Sequence, residues 1–112
     1  MTTKQVADMI AETGLPNAYY QFKKDPNNPP PNPPFICFYY PYDNDLKADD
    51  INYARINHLI IELYTDNKNF TVEGTVEAVL LSYGLPFSKA EEYIDTESMY
   101  QITYDLEVVV NG

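Results

Sequence analysis

The final segment of the chain, residues 99–110, constrains the fold more than any other. Apolar and polar residues alternate along it, and the apolar set is Tyr100, Ile102, Tyr104, Leu106, Val108 and Val110. Side chains of a β-strand point alternately to opposite faces, so this period of two predicts a strand with one buried and one solvated face. Such a strand needs neighbouring strands and a layer of structure packed on its apolar side.

Six further segments precede this strand. Helix start and stop signals predict helices over about residues 4–13 and 70–83, each followed by a glycine and then a proline. Strand-like runs lie at about residues 18–22, 35–40, 53–65 and 89–95. We therefore predict a single α+β domain over residues 1–112 with the order α-β-β-β-α-β-β, in which two helices pack on a mainly antiparallel sheet of about five strands.

The run at 53–65 and the helix at 70–83 also carry predictions about burial. Leu59, Ile61 and Leu63 share one face of the strand, and Ile56, Ile60 and Tyr64 share the other. Apolar residues on both faces predict a central strand that is covered on both sides, or one that a neighbouring subunit covers. The predicted buried stripe of the helix is Val72, Val76, Val79, Leu80 and Tyr83, with Glu73 and Glu77 on its solvent side.

Residues 23–34 contain six prolines in twelve positions. Because proline fixes φ and lacks an N–H, this segment is expected to be extended and without ladder pairing. We interpret it as a long hairpin arm that joins two antiparallel strands, and that either docks a partner or serves as a stiff, solvated loop. Tyrosine suits half-buried sheet faces and wet interfaces. The candidate assembly contacts are Pro29, Pro30, Pro31, Tyr39, Tyr40 and Tyr64.

The side chains that enzymes use for nucleophilic and acid–base chemistry are scarce. The chain has one histidine, one cysteine and one arginine, namely His58, Cys37 and Arg55, all in or beside strand-like runs. We therefore predict a protein that is not an enzyme and that has no catalytic residues, cofactor or metal site. The acids at 43–50 are as closely spaced as those of a calcium-binding loop. The glycine and the closing glutamate that such a loop requires are missing, so we interpret these acids as ordinary turn residues.

The net charge of −10 bears on possible partners. Binding to a phosphate backbone depends on Lys and Arg, so the composition disfavours specific nucleic-acid binding and adhesion to anionic membranes. One cysteine cannot form an internal disulfide, and no stretch approaches the roughly 20 apolar residues that a membrane span needs. The expectation is a soluble protein made in a reducing cytosol.

Four segments of the chain resemble a known family in the same order. They are Leu15-Pro-Asn-Ala-Tyr-Tyr-Gln-Phe22, Pro33-Pro-Phe-Ile-Cys-Phe-Tyr-Tyr40, Ile61-Glu-Leu-Tyr-Thr-Asp66 and Glu92-Tyr-Ile-Asp-Thr-Glu-Ser-Met-Tyr100. Together with the element order, they resemble the small tail-terminator or tail-completion proteins of siphophages and prophages of Gram-positive bacteria. The resemblance implies a structural protein of the virion, assembled in the bacterial cytoplasm. It implies a ring, usually hexameric, at the head-proximal end of the tail, in contact with the tail-tube protein and the head-completion or connector protein.

Two further hypotheses follow from the charge. DNA that slides through a ring should meet few phosphate-binding cations, so part of the acidic set is predicted to line the channel, with Glu73 and Glu77 as candidates. Their reversal to lysine is then expected to preserve folding and to slow DNA passage. Alternatively, the chain is a small acidic inhibitor or DNA mimic that binds a basic partner.

Overall fold

The computed structural model describes residues 1–42 and 56–109. Its elements are α1 (Thr3–Ala11), β1 (Asn17–Tyr19), β2 (Phe35–Tyr39), β3 (Ile56–Thr65), α2 (Phe70–Ser82), β4 (Ser88–Ile94) and β5 (Met99–Val109). The predicted order of two helices and five strands is therefore confirmed. The acidic segment 43–50, the first residues of the strand predicted at 53–65, including Arg55, and Val110 lie outside the described residues.

The five strands form one sheet in the order β1-β2-β3-β5-β4. Strand β3 is the central strand and pairs antiparallel with β2 and β5, while β4 pairs antiparallel with β5 at one edge. At the other edge, the three residues of β1 pair with β2 in parallel. The α+β class and the mainly antiparallel sheet are confirmed, although the sheet is mixed because of β1.

The parallel pairing of β1 and β2 corrects the interpretation of the Pro-rich arm. Asn17 lies opposite Ile36, and Tyr19 lies opposite Phe38, so the two strands run in the same direction. An arm between them cannot be a hairpin, because parallel neighbours need a connection that returns to the starting end of the sheet. The segment 23–34 is therefore a crossover at the sheet edge, and the prediction of a hairpin joining antiparallel strands is wrong.

Both helices contribute to one core on one face of the sheet. Val6, Met9 and Ile10 of α1 and Val76 and Leu80 of α2 belong to a buried cluster with alternate residues of the strands. The strand members of that cluster are Ile36, Phe38, Leu59, Ile61, Leu63, Ile102, Tyr104, Leu106 and Val108. Each large side chain buried in this way stabilises the fold by roughly 1.5–3 kcal/mol relative to exposure. The alternation that predicted β5 thus gives its buried face correctly.

The helix ends follow the signals in the sequence. Thr2 caps α1 in a capping box with Gln5, and the side chain of Asn69 accepts the Val72 N–H at the start of α2. At the end of α2, Gly84 has φ of 69° and the Leu85 N–H donates to the Leu80 carbonyl at 3.1 Å. This left-handed turn is accessible to glycine at little cost, so the helix ends there.

The predicted stripe of α2 is correct for its centre and wrong at its end. Val76 and Leu80 are buried, and Val72 and Val79 pack against the core while remaining partly exposed. Tyr83 is 40% exposed, so it does not belong to the buried stripe. The reason is that the helix ends at Ser82, and Tyr83 already lies in the turn that leaves it.

Candidate assembly surface

The sheet face opposite the helices carries a group of polar and aromatic side chains where β2 pairs with β3. Strand register brings Phe35, Cys37 and Tyr39 of β2 beside Tyr64, Glu62 and Ile60 of β3, respectively. Paired residues of antiparallel strands point to the same side of a sheet. These residues alternate with the buried residues of the core, so they form the outer face of the sheet.

Aromatic rings line this face where the Pro-rich arm begins. The Phe35 and Tyr64 rings are stacked with centroids 4.9 Å apart, and Phe22 meets Phe35 edge-on at 5.4 Å. Tyr20 lies against Tyr39 with centroids 5.1 Å apart. Tyr20 has φ of 69°, which costs a non-glycine residue roughly 1–2 kcal/mol. The contact between the Tyr20 and Tyr39 rings offsets part of this cost, and the Pro-rich arm begins three residues after the turn.

A single carboxylate lies among these rings. The Tyr64 hydroxyl donates to Oε2 of Glu62 at 3.0 Å, the Gln101 amide donates to the same oxygen, and the Tyr39 hydroxyl also donates to Glu62. Burial raises the pKa of Tyr39, and the negative charge of Glu62 raises it further. Burial and then Glu62 raise the pKa of Tyr64 in the same way. All three donors are neutral, so the charge of Glu62 has no counterion among them.

The arm, the outer face and the turn after β4 together line an open cavity of about 450 Å³. Lys24 and Pro30 of the arm line it, and Tyr39, Glu62 and Tyr64 line it from the sheet. The structure therefore brings together three of the predicted contact residues, Pro30, Tyr39 and Tyr64. Pro29 and Pro31 belong to the same arm but do not line the cavity.

Tyr40 is separate from this group. It packs against the core on the helix side of the sheet, and its N–H donates to the Tyr19 hydroxyl at 3.2 Å. Its own hydroxyl is buried without a hydrogen-bond partner among the described residues. The sequence placed Tyr39 and Tyr40 in one candidate set, but adjacent residues of an extended chain point to opposite sides.

Glu73 corrects a second prediction from the sequence. Its side chain is only 2% exposed, with Lys68 Nζ 2.7 Å from Oε2 and Lys89 Nζ 2.8 Å from Oε1. The prediction that Glu73 lies on the solvent side of α2 is therefore wrong. Lysine at this position would bring three ammonium groups together, so reversal is not expected to preserve folding.

Glu77 belongs to the same cluster and is half-buried. Lys89 Nζ lies 2.8 Å from Oε2 of Glu77, and the buried Tyr104 hydroxyl donates to that oxygen at 2.8 Å. Lys68 also pairs with Glu91 on β4. We refer to Lys68, Glu73, Glu77, Lys89 and Glu91 as the lysine–glutamate cluster. It joins α2 to β4, so these acids are structural in the fold.

Opposing effects act on the ionisation of the cluster. Burial alone would raise the pKa of Glu73, but the hydrogen bonds from Lys68 and Lys89 outweigh it and hold the pKa below its ordinary value. Hydrogen bonds to Glu73 and Glu91 raise the pKa of Lys68, and hydrogen bonds to Glu73 and Glu77 raise that of Lys89. Glu73 is therefore held as a carboxylate, and Lys68 and Lys89 as ammonium groups, near neutral pH.

The remaining chemically distinctive side chains have structural partners. His58 Nε2 lies 2.6 Å from Oδ1 of Asp105, and its ring stacks on Tyr42 with centroids 4.6 Å apart. Cys37 is 5% exposed, and burial followed by the charge of Glu62 raises the pKa of its thiol to about 11. Within residues 1–42 and 56–109, no group of three or more His, Cys, Asp or Glu side chains is placed to hold a metal ion.

Glu62 and Phe35 were not among the candidate residues, although both line the cavity with Tyr64. Gln101, which donates to Glu62, was not a candidate either. The sequence does contain a signal for Glu62, because it is the one acid within the apolar run 59–64.

No helix in the described part of the chain has the length and apolar character needed to cross a membrane.

Comparison with known proteins bears on the fold. Neither the protein-family models nor the curated proteins give a match. Among solved structures, the chain is similar to one in the "Virion of native gene transfer agent (GTA) particle", with a TM-score of 0.54 and 16% sequence identity. The match covers 98% of this chain and 89% of that chain. The two chains therefore share a fold over nearly their whole lengths.

Proposed function

We propose that this protein is a non-enzymatic structural component of a phage or phage-like particle. The observation that carries the proposal is the shared fold with a chain of a gene transfer agent virion over 98% of the present sequence. The four segments that resemble tail-terminator and tail-completion proteins support a more specific role in the tail. In this proposal the chain forms a ring at the head-proximal end of the tail and joins the tail tube to the head connector.

The exposed face of α2 supports self-assembly. Phe70 is 74% exposed and Leu81 is 63% exposed, so two large apolar side chains of α2 face away from the core. Phe70, Gly74 and Leu81 share one face because they are spaced by four and seven residues. Exposed apolar surfaces often mark protein–protein contacts. We assign this face of α2 to the contact between neighbouring subunits.

The charge distribution also suits a component through which DNA passes. The lysine–glutamate cluster neutralises part of the acidic set, so Glu73 and Glu77 are poor candidates for a channel lining. Glu92 and Asp95, on β4 and the turn after it, are exposed and remain candidates. Acidic side chains there would repel phosphates and keep the moving DNA free of the wall.

Assembly of purified proteins tests the proposal. The chain would be examined by analytical ultracentrifugation and electron microscopy, alone and with the tail-tube and connector proteins of the same particle. We expect a closed ring that caps the tube. A strict monomer that binds neither protein would refute the proposal, and capture of a basic nuclease or polymerase at low salt would favour the acidic inhibitor instead.

A further inference from the structure

The cavity on the outer face combines an uncompensated carboxylate with aromatic walls. A carboxylate has roughly four acceptor positions, and Glu62 fills three of them with the neutral donors Tyr39, Tyr64 and Gln101. No ion pair to Glu62 occurs among the described residues, since the pairs found there involve other acids. Among the described residues, the Glu62 carboxylate therefore has no cationic partner, and it can accept a further hydrogen bond from a group that enters the cavity.

The shape and charge of the cavity favour a planar cation. Its volume of about 450 Å³ lies within the range of roughly 300–1,000 Å³ typical of small-ligand sites. The stacked rings of Phe35 and Tyr64 form one wall, and Glu97 adds a second carboxylate against the single ammonium of Lys24. A guanidinium stacks on aromatic rings and donates several hydrogen bonds in one plane. It therefore matches both the aromatic rings and the carboxylates of the cavity.

We infer that this cavity binds an arginine side chain of a partner protein, with the guanidinium paired to Glu62 and stacked on the aromatic wall. The partner is a different protein rather than a second copy of the chain. The sequence carries a single arginine, Arg55, and its net charge of −10 complements the surface of a basic partner. The identification of that partner as another particle component depends on the proposed function, whereas the affinity of the cavity for arginine does not.

Nuclear magnetic resonance titration of the isolated protein tests the inference. The probe is N-acetyl-L-arginine amide, and the control is N-acetyl-L-citrulline amide, which has nearly the same shape without the charge. We expect the arginine probe to shift the amide signals of β2 and β3 and to bind at least about tenfold more tightly than citrulline. Equal binding of the two probes, or no shifts with either, would overturn the inference.

Two pairs of variants test whether arginine binding depends on the charges that line the cavity. Glu62→Gln should weaken arginine binding at least about tenfold, while Glu92→Gln, an exposed carboxylate that does not line the cavity, should leave it unchanged. Lys24→Gln removes the competing cation from the exposed arm without touching the core, so it should tighten binding about two- to fivefold, whereas Lys23→Gln should not. Identical affinities for wild type and Lys24→Gln would count against the electrostatic mechanism even if Glu62→Gln fails to fold.

The same measurements separate the possible occupants. If the arginine probe dissociates a self-assembled form of the chain in ultracentrifugation, the occupant is a second copy and the inference is wrong. If the probe binds with the expected charge dependence while the chain fails to join tail-tube or connector proteins, the arginine site is supported and the proposed function fails. The arginine site and the proposed function are therefore tested by different observations.

Discussion

Lys89 Nζ, on β4, lies 2.8 Å from Oε1 of Glu73, on α2. The side chain of Glu73 is only 2% exposed, so this ion pair is largely buried on its acidic side. Together with Lys68, Lys89 satisfies a buried charge that would otherwise destabilise the fold. This contact fixes the helix against the edge strand of the sheet. Because each lysine is partly exposed, the cluster can relax when one partner is removed, which moderates the cost.

Glu73→Gln should therefore destabilise the protein by roughly 2–4 kcal/mol, because it leaves two lysines without their shared partner. Urea unfolding followed by circular dichroism measures the difference. The matched control is Glu92→Gln on β4, where the carboxylate is exposed. That variant should change the free energy of unfolding by less than about 0.5 kcal/mol. Similar stability of both variants would show that the cluster contributes nothing to folding.

The lowered pKa of Glu73 predicts acid sensitivity with a definite sign. Below its ordinary value of 4.5, the unfolded chain takes up a proton at this residue before the folded chain does. The contribution of Glu73 is thus complete above that pH and is lost as the pH falls through the lower folded value. The stability difference between wild type and Glu73→Gln should be constant between about pH 5 and pH 9 and shrink below about pH 4. A difference that grows on acidification would contradict this assignment.

The sequence predicted those parts of the fold that depend on local periodicity. Alternation over residues 99–110 gave β5 and its buried face, since the side-chain period of a strand is a local property. The direction of β1 could not be obtained in this way. Its parallel pairing with β2 depends on the path of the Pro-rich arm, which residue patterns do not encode. Proline content predicted an extended connection but not where it leads.

The burial of Glu73 was missed for a related reason. Helix α2 is apolar on most sides, so its sequence has little asymmetry to show which face is buried. Its partner Lys89 comes from β4, and only the tertiary fold brings the two together. Glu62 was visible as an acid within an apolar strand, but most other residues that line its cavity come from segments outside β3. Sites assembled from distant segments are not accessible to pattern analysis of single elements.

The environment of Cys37 predicts an unreactive thiol. It is 5% exposed and its pKa is raised to about 11 by burial and by Glu62, so at pH 8 only about one thiol in a thousand is ionised. Labelling with Ellman's reagent should be at least about a hundredfold slower in the native protein than in denaturant. Rapid labelling of the native protein would instead mean that the outer face of the sheet opens readily.

The Pro-rich arm can be tested without shortening the crossover. Replacement of Pro29, Pro30 and Pro31 by alanine removes the stiffness of the arm while keeping its length, and Pro29 and Pro30 are exposed. If the arm docks a partner, the variant should fold normally and yield fewer complete particles in a complementation assay. An unchanged particle yield would make the arm a spacer, which is the alternative that the sequence left open.

The exposed face of α2 gives the sharpest test of self-assembly. Leu81→Asp places a charge where a neighbouring subunit would pack, so it should abolish ring formation, whereas the monomer should keep its stability because Leu81 is 63% exposed. The control is Thr75→Asp, an exposed position on another face of the same helix. Sedimentation velocity distinguishes the two variants, and circular dichroism confirms that both are folded. Rings formed equally by both variants would show that subunits meet through a different surface.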